Sequence, residues 1–558
     1  MLKLVPVFAL LLMLTASPPP GAAGFLEETA PRNCTAIPNS ELCLLIGRGS
    51  PDLPAKDSAP YQKQIRNFYA AGNYEFAWVR AMRPSPQALA LIQRLQNADQ
   101  EGLRAQDYDA ALWDTWLARL NQSTPAANAE LARFDLALTV TAMRYIADLC
   151  CGRIDPRRLN VHLYPERKQV NLPQFLRTRV ITAPDLSSVL KDLDPPYSGF
   201  QRTRSGLQFY LKLAKEGEGE PLPKPRKTVQ PGEIYVGLAA LEQRLRRLGD
   251  LRPAKLTPPN SNIYTDPLVD AVKHFQQRHG LAPDGKIDSL TFKQLTTPLA
   301  YRVKQLQFTL ERWRWLPSDL PSPLIAVNIP EFVLRGYDNH RVSLRMRVIV
   351  GKAFRDRQTP VFQDEMEYVI FRPYWNVPTQ IVHKELIPDL EKKTAYLEKH
   401  QFELVDQHGN AIIPEEISAA IVQQLRTGEL AIRQKPGAGN SLGLIKFVFP
   451  NHYDVYLHGT PEQKLFSRSR RDFSHGCIRV EDPAALAHWV LHDDPSWSQE
   501  RIEAAMNADK SLRVNLSKPL KVLIVYGTAL VEENGEIRFF QDIYGQDAKL
   551  DRALAAHR

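Results

Sequence analysis

Apolar residues between about residues 60 and 215 recur at the spacing of amphipathic helices. Ser85 can cap one helix and Pro86 suits its first turn, followed on one face by Leu89, Ile92 and Leu95. The segment from Asn128 to Leu149 is longer and apolar on more than one side, which is typical of a central bundle helix. The pattern predicts a mainly helical domain over residues 25–231.

From about Tyr301 the pattern changes to short β-branched and aromatic runs bounded by Pro and Gly, which predict strands. The turn sequence Glu533–Glu536 lies between two of these runs and predicts a hairpin. We therefore expect a β-rich domain over residues 299–545, followed by a tail over 546–558. The predicted strands are 324–329, 342–350, 368–371, 446–449, 455–457, 521–526 and 537–540.

Two polar amphipathic segments, His383 to His400 and Glu415 to Gly428, interrupt the strand pattern. They predict a helical insertion at about residues 380–437. It is either a solvated decoration or a lid over an active site.

A Pro- and Gly-rich, charged run at about residues 216–232 predicts a linker before a compact module over 232–298. Its helices are expected at Leu238–Leu248, after a cap at Asp266, and from Asp288. His274 and His279 lie in the second helix without a surrounding ligand cluster, so we expect solvated side chains rather than a metal site. The pattern as a whole predicts a multidomain α+β protein.

Length and charge narrow the classes of function. A chain of 558 residues with 44% hydrophobic and 24% charged residues indicates several globular domains. The formal net charge of +9 suits a polyanionic neighbour such as nucleic acid, lipid headgroups or a carboxylate-rich cell wall. The sequence contains no phosphate-binding loop, dinucleotide fingerprint or nucleic-acid-binding motif, so we expect no nucleic-acid partner.

The N-terminus predicts export. Lys3 precedes the apolar run Val5–Leu14, and small residues follow at Gly21–Gly24, so residues 1–24 read as a signal peptide. The run is short for a membrane span, and an uncleaved anchor is the alternative.

Export makes disulfides possible, with Cys34 to Cys43 the favoured pair. Cys150 and Cys151 are either bridge partners or small buried residues at a helix end. Cys477 is then left as a single thiol.

The richest chemistry lies in Tyr456–Pro461 and Ser474–Val480, which place His458 and His475 within some twenty residues of Cys477. A cysteine reacts as its thiolate and needs a neighbouring base or cation to reach that state near neutral pH, so Cys477 is the candidate nucleophile. A buried structural cysteine is the alternative. These three side chains lack surrounding carboxylate ligands, and we expect no metal and no cofactor.

These residues resemble the HGT and SHGC[IV]R signature of the L,D-transpeptidases with a YkuD catalytic domain. The aromatic-rich segment Phe68–Trp78 and the sequence Gly152–Pro156 resemble the scaffold domain of the large, YcbB-type Gram-negative members, whose catalytic domain carries a capping subdomain at the position of the insertion. Residues 271–288 resemble the three-helix peptidoglycan-binding module of wall enzymes. The resemblance implies a periplasmic enzyme that cross-links peptidoglycan through a cysteine acyl-enzyme.

The resemblance also assigns roles around Cys477. His458 is expected to act as the general base, with the Gly459 carbonyl holding its other ring nitrogen. His475 either shapes the loop or acts electrostatically. Gly476 permits an unusual backbone angle, so that loop amides can face an oxyanion.

Four more side chains are candidates for substrate contact. Arg479 keeps its proton, and either binds a carboxylate of diaminopimelate or buttresses the loop. Trp375 and Tyr456 can wall a donor pocket, although core packing is equally natural for Tyr456. Asn440 is the fourth candidate.

The expected reaction releases D-alanine from a tetrapeptide stem and transfers the acyl group to a diaminopimelate amine. The expected partners are peptidoglycan stem peptides, the sacculus and wall-synthesis proteins, with membrane contact only through the N-terminal segment. Two alternatives stay open: a secreted cysteine peptidase, similar to an L,D-carboxypeptidase, that trims the stems with water, and a wall-binding protein without catalysis.

Overall fold

The computed structural model describes residues 34, 37–48, 59–122, 128–163, 169–251, 262–354, 356–390, 396–414 and 416–556. The predicted signal peptide over residues 1–24 lies outside them. Among the described residues, no helix combines the length and the apolar character that a membrane crossing requires.

The first part of the chain is a helical domain around one long central helix, α5, which buries residues on all sides. Helices before residue 192 pack around α5 and share its core, whereas the buried residues of Ser198–Glu216 pack against Leu299–Arg314 in a second core. Its two-stranded hairpin consists of β1 (Val79–Arg80) and β2 (Arg83–Pro84), and β3 (Val161–His162) follows α5. The helices are α1 (Ser40–Arg48), α2 (Gln62–Ala70), α3 (Pro86–Gln96), α4 (Ala110–Gln122), α5 (Asn128–Cys151), α6 (Leu172–Phe175), α7 (Leu186–Lys191) and α8 (Ser198–Glu216).

The helix cap predicted from the sequence of this domain is present in the structure, and the predicted buried face is present in part. The Ser85 hydroxyl accepts a hydrogen bond from the Ala88 amide and caps α3, with Pro86 in its first turn. Leu89 was expected on the buried face, but its side chain is exposed and Ala88 and Leu91 are buried instead. Ile92 and Leu95 are buried as expected, so the buried face shares these two residues with the predicted one and extends to Ala88 and Leu91.

The cysteines near the N-terminus form the expected disulfide, Cys34–Cys43. Cys151 is buried at the C-terminal end of α5, and Cys150 beside it is half-buried. Cys477 lies in the catalytic part of the chain, far from this pair in sequence.

The small module contains α9 (Leu238–Leu248), α10 (Leu268–Arg278) and α11 (Ser289–Leu295). The Asp288 carboxylate accepts from the Thr291 amide and caps α11 as expected. The predicted linker is partly a component of this module, because Leu222 and Val229 are buried in its core and Val229 pairs with Ile287.

The expectation of two solvated histidines in α10 is wrong for His279. Its ring is buried and stacks on Phe275 with the ring centroids 3.8 Å apart. Its Nδ1 bonds the Phe275 carbonyl at 2.7 Å. His274 is partly exposed and lies between Asp250 and Glu536.

The remaining chain is mixed α and β, and it begins with a helix where strands were expected to start. The helices are α12 (Leu299–Arg314), α13 (Thr379–Ile381), α14 (Ile387–Leu390), α15 (Tyr396–Lys399), α16 (Ala419–Thr427), α17 (Pro483–Val490), α18 (Gln499–Asn507) and α19 (Gln546–Ala556). The strands are β4 (Leu324–Asn328), β5 (Val333–Asp338), β6 (Arg341–Gly351), β7 (Val361–Phe371), β8 (Trp375–Asn376), β9 (Phe402–Val405), β10 (Ala411–Ile412), β11 (Ala431–Gln434), β12 (Ile445–Val448), β13 (Leu457–His458), β14 (Asp472–Ser474), β15 (Ile478–Val480), β16 (Leu512–Val525), β17 (Ala529–Val531) and β18 (Ile537–Phe539).

The main sheet closes on itself. Strands follow one another in the order β12-β13-β15-β6-β5-β4-β16-β7, and β7 pairs again with β12. The interior of this closed sheet holds the largest apolar core of the protein. From the helical domain, β3 adds a strand to β7 through Val161 paired with Val361.

The predicted tail over 546–558 is wrong as far as residue 556. Residues Gln546–Ala556 form α19, and its Leu550 and Leu554 are buried in the main core. The carboxylate of Asp547, at the start of this helix, accepts from Arg312 of α12 at 2.6 Å. The last helix therefore belongs to the catalytic fold.

The insertion at about 380–437 is not purely helical. Strands β8, β9, β10 and β11 form a small antiparallel sheet in the order β10-β9-β11-β8, and short helices cover it. The insertion has its own apolar core, which includes Ile387, Leu404 and Ile432. It is therefore a small folded subdomain attached to the sheet through Trp375.

Candidate active site

Three adjacent strands bring the predicted site residues onto one face of the main sheet. β13 pairs with β15 in parallel, with His458 opposite Arg479, and with β12, where His458 is opposite Lys446. The intervening residues Leu457 and Ile478 are fully buried in the core. Because side chains alternate along a strand, His458, Arg479 and Lys446 point to the opposite side.

Cys477 lies beside Tyr456, just before the paired part of β15. The amide of Ile478 donates to the Tyr456 carbonyl at 3.1 Å, which extends the parallel register by one residue. Cys477 and Tyr456 are thus neighbours, with His458 two residues further along β13. The fold brings the predicted nucleophile and the predicted base onto one face.

His458 is held in one orientation. Its ring is buried, and Nδ1 lies 2.6 Å from the Gly459 carbonyl oxygen. A carbonyl can only accept, so Nδ1 carries the proton and the lone pair of the neutral ring is on Nε2. Burial, with a further contribution from Arg479, lowers the pKa of His458 to about 3, and the resting imidazole is neutral.

Cys477 has a half-buried side chain, and its Sγ lies 3.5 Å from the Asp454 carbonyl oxygen. Burial raises the pKa of the Cys477 thiol, whereas hydrogen bonds from Tyr456 and the charge of Lys446 oppose this rise. The resting pair is therefore a thiol beside a neutral imidazole.

Lys446 was not anticipated from the sequence. Its ammonium lies 3.8 Å from the centroid of the Tyr456 ring. The signal that could have revealed it is a single cation in the apolar strand Ile445–Val448, at a position that alternates with buried residues.

The turn before Cys477 is built around Gly476, which has φ of +125°. This backbone angle favours glycine. The Thr359 hydroxyl donates to the Gly476 carbonyl at 2.7 Å, and the Gly476 amide donates to the Ser474 hydroxyl at 3.2 Å. The turn is thus fixed by Thr359, which lies in the loop before β7, and by Ser474 at the end of β14.

Arg479 forms an ion pair with Glu462, and its side chain is 17% exposed. Glu462 takes one guanidinium nitrogen, and the buried Nε of Arg479 has no hydrogen-bond partner among the described residues, so both predicted roles, carboxylate binding and buttressing, stay open.

His475 contacts the insertion rather than Cys477. Its Nε2 lies 2.8 Å from a carboxylate oxygen of Glu385, and the same oxygen accepts from Arg357 at 2.9 Å. Although burial opposes it, the hydrogen bond and charge of His475, together with Arg357, leave the pKa of Glu385 below its usual value. The insertion is therefore attached to the loop of the nucleophile through Glu385.

Of the other predicted contact residues, Trp375 is joined to the site by a side-chain hydrogen bond to Tyr456, and Asn440 is not. Trp375 is half-buried at the base of the insertion, where it packs near Phe402. Asn440 is fully buried, and its side-chain amide nitrogen donates to the carbonyls of Pro373, Gln434 and Lys435. With these bonds Asn440 holds its loop, and the prediction of substrate contact is not supported by this arrangement.

Among the described residues no cluster of His, Cys, Asp and Glu is arranged to hold a metal ion.

Three segments of the chain match known families. Residues 322–499, which contain the site, match the model for the L,D-transpeptidase catalytic domain, YkuD. The chain carries a YkuD L,D-transpeptidase domain. Residues 63–207 match a scaffold domain, and residues 237–295 match a "putative peptidoglycan binding domain".

A curated protein of Haemophilus influenzae, named "Putative L,D-transpeptidase", is 33% identical over 251 residues. The match covers 45% of this chain and 49% of that protein, so the chain spans about half the length of this relative. A crystal structure of the L,D-transpeptidase from Xylanimonas cellulosilytica (residues 123–326) is 16% identical, covering 55% of this chain and all of that one. The TM-score of this match is 0.18.

In this L,D-transpeptidase domain the geometry is suited to acyl transfer. The lone pair of His458 Nε2 can accept a proton, and the thiol of Cys477 on the same face can supply one. The Gly459 carbonyl fixes the imidazole in the required tautomer, as the third member of a triad does.

Proposed function

We propose that this protein cross-links peptidoglycan through a Cys477 acyl-enzyme, with His458 as general base. The observation that carries the proposal is the common face of Cys477 and His458, with His458 Nδ1 bonded to the Gly459 carbonyl. The match of residues 322–499 to the L,D-transpeptidase catalytic domain supports the same reaction class.

The first half-reaction breaks one amide. Cys477 transfers its proton to His458 Nε2, and Sγ attacks the carbonyl carbon of the third residue in a tetrapeptide stem. The tetrahedral intermediate expels the terminal D-alanine, whose amine takes the proton from His458. The product is a thioester, and loop amides such as that of Cys477 are suited to stabilise the oxyanion.

The second half-reaction restores the enzyme. The side-chain amine of a diaminopimelate residue in another stem attacks the thioester carbon and gives its proton to His458. The thiolate leaves and takes up that proton. Because one amide replaces another, no nucleotide is consumed, provided that water does not reach the thioester.

We propose a periplasmic location, on the grounds of the N-terminal export pattern and the wall polymer as substrate. The match of residues 237–295 supports a role of the module in holding the sacculus. Carbapenems are proposed as inhibitors, since their ring carbonyl can acylate the same thiol.

The test is incubation of purified protein with tetrapeptide muropeptides, followed by mass spectrometry. We expect cross-linked dimers and free D-alanine, and no products with Cys477→Ala, whose melting temperature should stay within about 2 °C of the unmodified protein because only one sulfur atom is removed. Exclusive formation of tripeptides would instead identify a peptidase, and unchanged transfer by Cys477→Ala would overturn the nucleophile.

A further inference from the structure

The pair of Cys477 and His458 does not by itself explain how a thiolate forms. His458 is buried and has Lys446 and Arg479 as its strand neighbours, so an imidazolium there is next to two cations. Both cations, after burial, lower the pKa of His458. A general base works best when its pKa is close to the operating pH, and the lowered pKa of His458 makes it a weak proton acceptor. Formation of the thiolate therefore needs a further group that stabilises the negative charge on sulfur.

Lys446 is placed to supply that stabilisation. Its strand β12 lies next to β13, and its ammonium covers the ring of Tyr456 at 3.8 Å from the centroid. Tyr456 in turn bonds Cys477 and lies beside it in the extended register. The cation is thus one aromatic ring away from the nucleophile.

The ammonium of Lys446 has no carboxylate partner within ion-pair distance in the part of the chain that the structure describes. Lys521 of β16 differs, because it bonds Glu365 at 3.0 Å. Burial lowers the pKa of Lys446, and attraction to Cys477 and then Asp454 opposes that change. A half-buried cation whose charge is not neutralised by a carboxylate has a large effect on a neighbouring thiol.

Resting on the proposed function, we propose that Lys446 is the electrostatic partner of Cys477, which stabilises its thiolate through the face of Tyr456 and thereby sets the reactivity of the nucleophile. The residue acts on the charge of the sulfur, and His458 retains the role of moving the proton. The other charged or titratable groups near this point are Asp454 and Tyr456 before β13, His458 on β13 and Arg479 on β15, while His475 in the turn bonds Glu385 of the insertion.

The experiment is titration of the Cys477 thiol in the full-length protein. Thiolate absorbance near 240 nm and the rate of iodoacetamide alkylation, with the modified residue identified by mass spectrometry, are recorded against pH. We expect Lys446→Met to raise the apparent pKa by about one unit, a roughly tenfold loss of thiolate at neutral pH. Lys446→Arg should restore most of it because it keeps the charge.

Lys521→Met is the matched control, because it removes a partly buried lysine of the same sheet that is paired with Glu365. It should leave the thiol titration unchanged. Circular dichroism and melting temperature identify any variant that fails to fold, and Lys446→Arg then carries the comparison.

An unchanged thiol pKa in folded Lys446→Met would overturn the proposal. If KM for the muropeptide rises in that variant while the thiol pKa does not move, Lys446 binds a substrate carboxylate instead. The titration needs no transfer reaction, so a shifted pKa in a protein without transpeptidase activity would leave this role intact and reject only the proposed function.

Discussion

The two histidines near Cys477 have different surroundings, although they look equivalent in the sequence. His458 is buried and fixed by the Gly459 carbonyl, whereas His475 bonds Glu385 across the surface of the insertion. A base must be oriented toward the proton that it takes, and only His458 combines this orientation with a place on the face of Cys477.

We therefore expect His458→Ala to slow acylation by about 10²- to 10⁴-fold, the usual loss for a general base. His475→Ala should cost about tenfold or less, because it removes only a loop contact. The measurement is single-turnover mass change of the protein with muropeptide. If the order is reversed, the base has been assigned to the wrong histidine.

At this scale the sequence was informative because the relevant signals are local. The HGT and SHGC motifs identify the residue types, and Gly476 has the positive φ that its place in the turn suggested. Lys446 and Asp454 were not predicted as neighbours of Cys477, because their approach to it depends on strand pairing, which the sequence does not specify. The backbone partners of Asn440 were not predicted for the same reason, since they are brought together by the fold.

Among the elements, the insertion contacts two neighbouring loops, the turn of Cys477 through His475 and the loop between β6 and β7 through Asp356 and Arg357. Glu385 links His475 and Arg357, and Lys384 pairs with Asp356 at 3.2 Å. The pKa of Glu385 lies below its usual value. Glu385 is therefore charged, and the contact is complete, at any pH above the usual pKa of a glutamate. The contact weakens only when the pH falls through the lowered pKa.

We expect Glu385→Gln to shorten the lifetime of a carbapenem adduct on Cys477 and to increase the ratio of tripeptide to cross-linked product by several-fold. The physical reason is that loss of the carboxylate weakens the attachment of the insertion, which lets water reach the thioester. Intact-protein mass over time reports the adduct, and product analysis reports the ratio.

Glu398→Gln is the control, because this exposed glutamate lies in α15 of the same insertion, remote in sequence from the contact. An adduct lifetime that is equal in all three proteins would reduce the insertion to a decoration. Identical changes in both variants would point to charge in general rather than to the contact with His475.

The buried histidine of the module gives a pH prediction. Burial and the nearby Arg278 lower the pKa of His279 well below 6.5. The unfolded state then binds a proton that the folded state excludes, so stability is full above pH 6.5 and falls as the pH drops below it. Each pH unit over which only the unfolded state is protonated costs about 1.4 kcal/mol of stability.

Hydrogen exchange of Leu268–Arg278, corrected for intrinsic rates, should show this loss of opening free energy between pH 7 and pH 5. His279→Leu should remove it. His274 works in the opposite sense, because its hydrogen bond to Asp250 raises its pKa and its contribution is lost as the pH rises. A pH dependence that is unaltered in His279→Leu would contradict the assignment.

Elements were predicted well where capping and periodicity are local, as in α3, α9 and α11. They were predicted poorly where contacts with distant parts of the chain determine the secondary structure. α12 and α19 were missed because their polar faces concealed the apolar positions that pack into the core, such as Leu306 and Leu550. The short strands of the insertion were missed because two to four residues give no reliable period.

On the scale of the whole molecule, the module is attached to the rest of the chain by buried charge. Asp250, fully buried, accepts from Arg278 at 2.6 Å and bonds His274 Nδ1 at 2.7 Å. Arg278 also donates to the Ile537 carbonyl of β18, and His274 reaches Glu536. The module and the C-terminal hairpin therefore form one packed unit.

We expect Asp250→Ala to destabilise this unit by about 3–5 kcal/mol, because it leaves the buried Arg278 charge without its partner. Asp270→Ala is the control, since its exposed pair with Lys273 contributes about 0–1 kcal/mol. Hydrogen exchange in α10 and β18 measures both. Destabilisation of α10 alone would show that the hairpin does not depend on the module.

The position of β16 in the sheet determines when, during synthesis, the sheet that aligns His458 and Cys477 can be completed. This strand is the last of the closed sheet in chain order, yet it lies between β4 and β7 and pairs with both. During synthesis the segments that carry His458 and Cys477 emerge before it, so the sheet that aligns them has a gap in its middle until residues 512–525 arrive. A chain released before that point contains His458 and Cys477 but lacks the strand that completes the sheet aligning them.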